Sequence, residues 1–212
     1  MPPTCSCDLT HAPRVIALTG GPGAGKTAVL EVAQRELCRH VVVLPEAASI
    51  LWRGLFPRRD SLPARKAAQR AIAKLQVELQ RMTIEEGHAA MILCDRGTLD
   101  GAAYWPGDPS EYFAELHSSR ADEIERYHAV IHLRTPPAHN GYTRANPYRS
   151  ETAAEAFELD ERILAAWTGH PRRYIVDSEP DFLVKLTRAL ELLRREVPLC
   201  CSKHCAQVSV AG

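Results

Sequence analysis

Apolar residues gather into five short runs: Val15–Thr19, Val41–Leu44, Ala90–Cys94, Val130–Leu133 and Tyr174–Val176. Stretches of helical periodicity separate them. Short runs without polar alternation suit strands buried on both faces, and their alternation with helices predicts a parallel sheet covered on both sides. After the first run, Val29, Leu30, Ala33 and Leu37 fall at helical spacing. A long helix over residues 64–86 puts Ile72, Leu75, Leu79 and Met82 on one stripe, read as core packing, and Gly87 ends it as a C′ glycine. Asp108, Pro109 and Glu111 open another helix with an N-cap, a first-turn proline and an acidic third position. Helices are also expected over residues 152–167 and 182–196, the latter with Leu183, Leu186, Leu190 and Leu193 inward. Residues 135–150 lack a usable period and carry Pro136, Pro137 and Pro147, so they form a loop of about sixteen residues, long enough to imply function or disorder.

One segment between the first strand and helix changes the picture. Gly20 to Thr27 reads Gly-Gly-Pro-Gly-Ala-Gly-Lys-Thr, a complete G-x-x-x-x-G-K-[ST] phosphate-binding loop in its required strand–loop–helix setting. Its glycines let backbone N–H groups converge on phosphate oxygens, and the helix N-terminus adds partial positive charge. Gly21, Gly23, Ala24, Gly25, Lys26, Thr27 and Ala28 are therefore expected to hold the nucleotide. Lys26 would reach the β- and γ-phosphates, and the Thr27 hydroxyl would hold Mg²⁺. The fold class becomes α/β, a P-loop NTPase three-layer sandwich with a five-stranded parallel sheet and a short lid.

Composition narrows the partners. Lys+Arg and Asp+Glu stand at 26 each, so no net field favours nucleic acid or an anionic membrane. Arg53, Arg58, Arg59, Arg65, Lys66 and Arg70 form the one basic grouping, read as a solvated helix edge that could touch an anionic acceptor. No apolar run approaches the ~20 residues of a membrane span, and the first twelve residues contain Asp8 and no apolar core. A cytoplasmic protein is expected. Of the seven cysteines, Cys38 and Cys94 fall within the expected fold as buried thiols. Cys5 and Cys7 lie in a leader over residues 1–12, and Cys200, Cys201, His204 and Cys205 in a tail over residues 198–212. The tail cluster could ligate zinc, but its spacing matches no C-x-x-C pair, so a reduced, disordered tail is the expectation. Both ends are expected to be dispensable to a domain over residues 13–197.

Further candidates stand at strand ends. Asp95 closes the third run, where a phosphate-loop protein places its second Mg²⁺ contact; a cap on the next turn is the alternative. Glu46 closes the second run on the same rim. It could accept the proton of an attacking hydroxyl, bind the acceptor's hydroxyls, or serve as a surface acid on the next helix. Arg144 and Arg149 in the long loop could close over a transferring phosphoryl group, or remain solvated. His132 reads as a hydrogen-bonded core histidine. No G-x-S-x-G, H-E-x-x-H, EF-hand or N-K-x-D pattern occurs.

Together these segments resemble the P-loop kinase-like ATPases grouped as NadR-type AAA domains, relatives of nicotinamide riboside kinase. The resemblance rests on residues 19–27, on Val43-Leu44-Pro45-Glu46-Ala47-Ala48, on Leu93-Cys94-Asp95-Arg96-Gly97-Thr98-Leu99-Asp100, on Asn146–Thr152, on Leu159-Asp160-Glu161 and on Trp167–Pro171. It covers residues 13–197. It implies ATP and Mg²⁺ at the phosphate loop, a lid around Arg144–Arg149, and an acceptor-side role for Arg96. The leading expectation is a small-molecule kinase acting on a nucleoside- or nucleotide-like acceptor. The alternative is a nucleotide-controlled switch or ATPase read by a protein or lipid partner.

Overall fold

In the computed structural model, which describes residues 5, 7, 10–136 and 152–202, the five expected runs are the five strands. They are β1 (Arg14–Thr19), β2 (Val41–Leu44), β3 (Met91–Asp95), β4 (Ala129–Leu133) and β5 (Arg173–Val176). All pair in parallel, in the order β2-β3-β1-β4-β5. The strand preceding the phosphate loop is thus central. Its register sets Leu18 beside Asp95 and Thr19 beside His132, so everything at the carboxyl ends of β1, β3 and β4 meets on one rim.

The pleat of β1 sorts the core into two layers. Ile16 and Leu18 point to the face covered by α1 (Lys26–Glu36) and α8 (Phe182–Glu196), meeting Val29, Ala33, Leu190 and Leu193. Val15 and Ala17 point to the opposite face. There Leu99 precedes α4 (Asp100–Tyr104), Leu159 and Ile163 come from α7 (Ala153–Ala166), and Trp167 follows that helix. Around this frame lie α2 (Ala47–Arg53), α3 (Leu62–Glu85), α5 (Pro109–Glu115) and α6 (Arg120–Glu125). The Asp108 cap is present on α5, and α6 starts on a Ser119–Asp122 capping box.

Three expectations need correction. The stripe of α3 is rotated: its buried residues are Ala68, Ala73, Gln76, Gln80 and Thr83, while Met82 is 49% exposed. Small side chains permit a close approach there, and Gln80 is satisfied by donating to Tyr127 Oη at 3.0 Å, so polar residues take the inward face. On α8, Leu190 and Leu193 are buried but Leu183 is exposed, because the helix buries Lys185 one turn from its start. Third, Pro198 does not end the ordered chain. Leu199–Ser202 forms α9, and Cys201 and Cys5 are both buried in the α1–α8 layer. Those two residues complete an apolar surface that Leu37, Cys38 and Val41 would otherwise leave open. His204 and Cys205 lie outside the described residues.

Candidate functional site

The phosphate loop is shaped by its glycines and held from outside. Gly20 has φ 131°, and a Cβ there would fall 2.0 Å from the carbonyl oxygen of Leu133. Only glycine lets β1 turn this close to β4. The Gly21 N–H donates to Asp160 Oδ1 at 2.7 Å, tying the loop to α7. The same carboxylate oxygen lies 3.0 Å from His132 Nε2, as a hydrogen-bonded core histidine requires. Arg134 Nε sits 3.0 Å from Oδ2, close enough for charge pairing though not aligned as a hydrogen bond. On the other flank, Lys185 Nζ donates to the carbonyl oxygens of Ala24, at 2.8 Å, and Arg134. Burial pulls the Lys185 ammonium down to about 8.

Helix α1 begins at Lys26, so the N–H groups of Lys26, Thr27 and Ala28 have no acceptor within the helix and face the rim as an anion site. Lys26 Nζ donates to the carbonyls of Gly20 (2.8 Å) and Gly21 (3.0 Å). Burial and the neighbouring Arg96 lower its pKa to about 8, against the opposing pull of Asp95, Glu46 and Asp100. An ammonium resting on two loop carbonyls is a cation in reserve for phosphate.

Asp95 ends β3 beside β1 as expected. Its Oδ1 is buried without a hydrogen-bond partner. Burial pushes its carboxyl up to about 6, with Glu46 and Asp100 adding to the rise and Lys26 and Arg96 resisting it. An orphaned carboxylate oxygen lining the same cavity as the exposed Thr27 fits a hard divalent cation with oxygen ligands. The donor set therefore suits Mg²⁺.

Arg96 adopts φ 75°, in the left-handed region, with its N–H on the carbonyl of Leu18 at 3.0 Å. That backbone turns the guanidinium inward. Nε donates to Glu46 Oε1 at 2.7 Å, and Nη1 to the Gly20 carbonyl (3.2 Å) and Asp100 Oδ2 (3.3 Å). Glu46 stands at the N-cap of α2 but makes no side-chain cap; it accepts from Arg96 and from the Ser49 hydroxyl instead. Burial would raise its carboxyl, yet Arg96, Ser49 and Lys26 hold it down at about 2. A carboxylate that acidic is a weak proton acceptor. Its general-base role loses support, and its capacity to bind and orient a hydroxyl remains.

Lys26, Thr27, Glu46, Asp95 and Arg96 line one cavity of about 740 Å³, within the range of small-molecule sites. The far half is walled by Trp52, Arg53, Arg58, Gln69 and Tyr104. Arg58 stacks 4.6 Å over the Trp52 ring, and Arg96 lies 5.5 Å from that of Tyr104. Ile72 also lines this space rather than packing in the core. The basic grouping divides: Arg53 and Arg58 reach the cavity, while Lys66 and Arg70 pair with Glu111 and Glu115. Arg144 and Arg149 lie outside the described residues.

Two buried acids escaped the site reading. Asp160 braces the loop. Asp100 accepts from Thr19 Oγ1 (2.6 Å), Trp167 Nε1 (2.7 Å) and Arg96, joining β1, α7's exit and the acceptor side. The i, i+4 spacing of Arg96 and Asp100 was the available signal.

A family model described as an AAA domain matches residues 15–182. No curated protein matches the chain. Among solved structures, the NadR protein in complex with NR superposes with TM-score 0.69 at 16% identity, over 93% of this chain and 54% of that one. The NadR protein with NAD and AMP-PNP gives 0.64 at 15%, over 87% and 50%. Thymidylate kinase from Candida albicans gives 0.56 at 12%, over 88% and 94%. The chain thus spans about half the length of the NadR chains. At these identities the likeness is one of fold alone.

Proposed function

The chain belongs to this AAA-domain family, and from that premise we propose that it is an ATP- and Mg²⁺-dependent phosphotransferase acting on a nucleoside- or nucleotide-like acceptor. The observation that carries the reading is the continuity of the cavity: the phosphate loop and an aromatic, arginine-bearing pocket share one space, with Glu46 and Arg96 between them. A switch that only hydrolyses ATP has no use for that second half.

Phosphoryl transfer asks for positioning and charge stabilisation more than for covalent help. The N–H groups of Lys26, Thr27 and Ala28 orient the phosphates, and Lys26 exchanges its carbonyl partners for phosphate oxygen. Thr27 and Asp95 would hold Mg²⁺, which when bound neutralises charge on the phosphates. Arg96, fixed on two sides by Glu46 and Asp100, presents a guanidinium where acceptor and phosphate meet. Glu46 orients the acceptor hydroxyl. Trp52 and Tyr104 offer faces to a planar base, and Arg53 and Arg58 offer charge to an acceptor phosphate. A closing role for Arg144 and Arg149 belongs to the same proposal. The neighbours solved with NR and named as a thymidylate kinase support this acceptor class.

The test is a thermal-shift and phosphoryl-transfer screen of ATP–Mg²⁺ against nucleosides, nucleotides and sugars, with Lys26→Ala alongside. Transfer to a nucleoside-like acceptor, absent in the variant, is the expected result. ATP hydrolysis that no acceptor alters would favour the switch.

A further inference from the structure

Four ligating side chains meet at the end of the sheet opposite the phosphate loop. Cys38 and His40 occupy the turn between α1 and β2, Cys5 comes from the chain before β1, and Cys201 from α9. Their sulfur and nitrogen atoms all lie within 4.8 Å of one another. Cys5, Cys38 and Cys201 are 5%, 1% and 0% exposed. His40 Nδ1 faces two of the thiols, 3.5 Å from Cys38 Sγ and 3.4 Å from Cys201 Sγ. We propose that Cys5, Cys38, His40 and Cys201 form a tetrahedral Cys₃His zinc site.

The distances suit it. Zinc–sulfur and zinc–nitrogen bonds of about 2.3 and 2.0 Å at tetrahedral angles separate sulfur from nitrogen by about 3.5 Å. Both sulfur–nitrogen separations fall within about 0.1 Å of that figure. Backbone amides reach two of the sulfurs as well. The His40 N–H points at Cys38 Sγ (3.5 Å) and the Cys7 N–H at Cys5 Sγ (3.4 Å), and such amide donors stabilise metal-bound sulfur. Three soft sulfurs and one imidazole select zinc over magnesium or calcium. Four protein ligands close the coordination shell, so the site is structural and leaves no position for substrate.

Binding Zn²⁺ displaces the protons of the three thiols, while His40 coordinates through Nδ1 with its proton on Nε2. The ion joins three segments that no C-x-x-C spacing connects, which is why the linear pattern of the C-terminal cysteines gave no zinc signal. His11 Nε2, 3.4 Å from Cys7 Sγ and 3.8 Å from Cys201 Sγ, lies in an adjoining layer around the site. Cys5 and α9 are then held to the folded domain and are not dispensable to it.

The test measures zinc in the full-length protein purified under reducing conditions, then challenged with equimolar zinc. One zinc per chain is expected in the wild type, in Cys94→Ala and in Lys26→Ala, and loss of it in Cys38→Ser and Cys201→Ser. A zinc chelator should lower the wild-type Tm. Should the serine variants fail to fold, cobalt(II) added to wild-type protein decides the matter through the visible and thiolate charge-transfer bands of a tetrahedral thiolate site. A wild-type chain that takes up no zinc and gives an octahedral cobalt spectrum would overturn the proposal. So would a disulfide among these cysteines under the same conditions, or zinc lost from Cys7→Ser and His11→Ala but kept in Cys5→Ser.

Discussion

Asp160→Asn preserves the shape of a wholly buried side chain and removes its charge. The amide oxygen can still accept from Gly21 and from His132, which share one carboxylate oxygen, so what disappears is the counter-charge to Arg134, which then faces an amide NH₂. Breaking a buried ion pair from one side costs roughly 3–5 kcal/mol. Arg134 is partly exposed and keeps its contact with Glu161, which points to the lower end, about 3 kcal/mol. In a domain of this size that corresponds to a Tm loss of about 6–12 °C. Glu161→Gln is the internal comparison, because it breaks the exposed side of the same cluster and should cost under about 1 kcal/mol. The pH dependence carries a sign. Burial works to raise the Asp160 carboxyl, but His132, the Gly21 N–H and Arg134 together hold it below its ordinary 3.8. A depressed carboxyl contributes stability that is complete above the unfolded value and is lost as pH falls through the folded one. The gap between wild type and Asp160→Asn should therefore be full at neutral pH and close in acid. Urea unfolding at several pH values, with metal content held equal, reads this as a shift in midpoint at unchanged slope. Equal costs for the two variants, or a gap that widens in acid, would refute the account.

Other outcomes follow from the same geometry. Lys26→Ala should abolish most of the stabilisation by ATP–Mg²⁺, which for the wild type is about 2.7 kcal/mol at a hundredfold excess over Kd; equal thermal shifts would contradict the loop assignment. Asp95→Asn should weaken Mg²⁺ dependence and turnover together. With Asp95 near 6, wild-type nucleotide–Mg²⁺ affinity should fall as pH drops through that value, and a flat titration would speak against it. Glu46→Gln should leave ATP–Mg²⁺ binding nearly intact while raising the acceptor KM, since it frees Arg96 and loses the orienting carboxylate; an unchanged KM would remove Glu46 from the acceptor side. Gly20→Ala should destabilise by about 1–3 kcal/mol, toward the upper end because the clash is with backbone, as thermal unfolding would record.

What the sequence disclosed was local. Strand, glycine loop and helix are contiguous, so β1, the loop and α1 could be read together, and Asp95 followed from its place at a strand end. Non-local pairing was harder. Periodicity on α3 could not anticipate that Tyr127, far along the chain, would satisfy Gln80 and turn that face inward. Glu46 stayed open between base, acceptor ligand and surface acid, because the cation that acidifies it comes from Arg96, fifty residues later. Asp160 showed no chemistry until the Gly21 N–H was seen against it. Cys5 and Cys201 read as belonging to separate ends for the same reason: spacing along a chain reports nothing of segments that meet only after folding.

The central place of β1 has a consequence for the order of biosynthesis. The phosphate motif leaves the ribosome well before the partners it depends on. Gly21 reaches its carboxylate 139 residues on, and Ala24 its ammonium 161 residues on. Such high contact order makes closure slow and late. A nascent chain can therefore carry the whole nucleotide signature while still unable to grip a phosphate, and a ribosome stalled before α8 would display the motif without the grip.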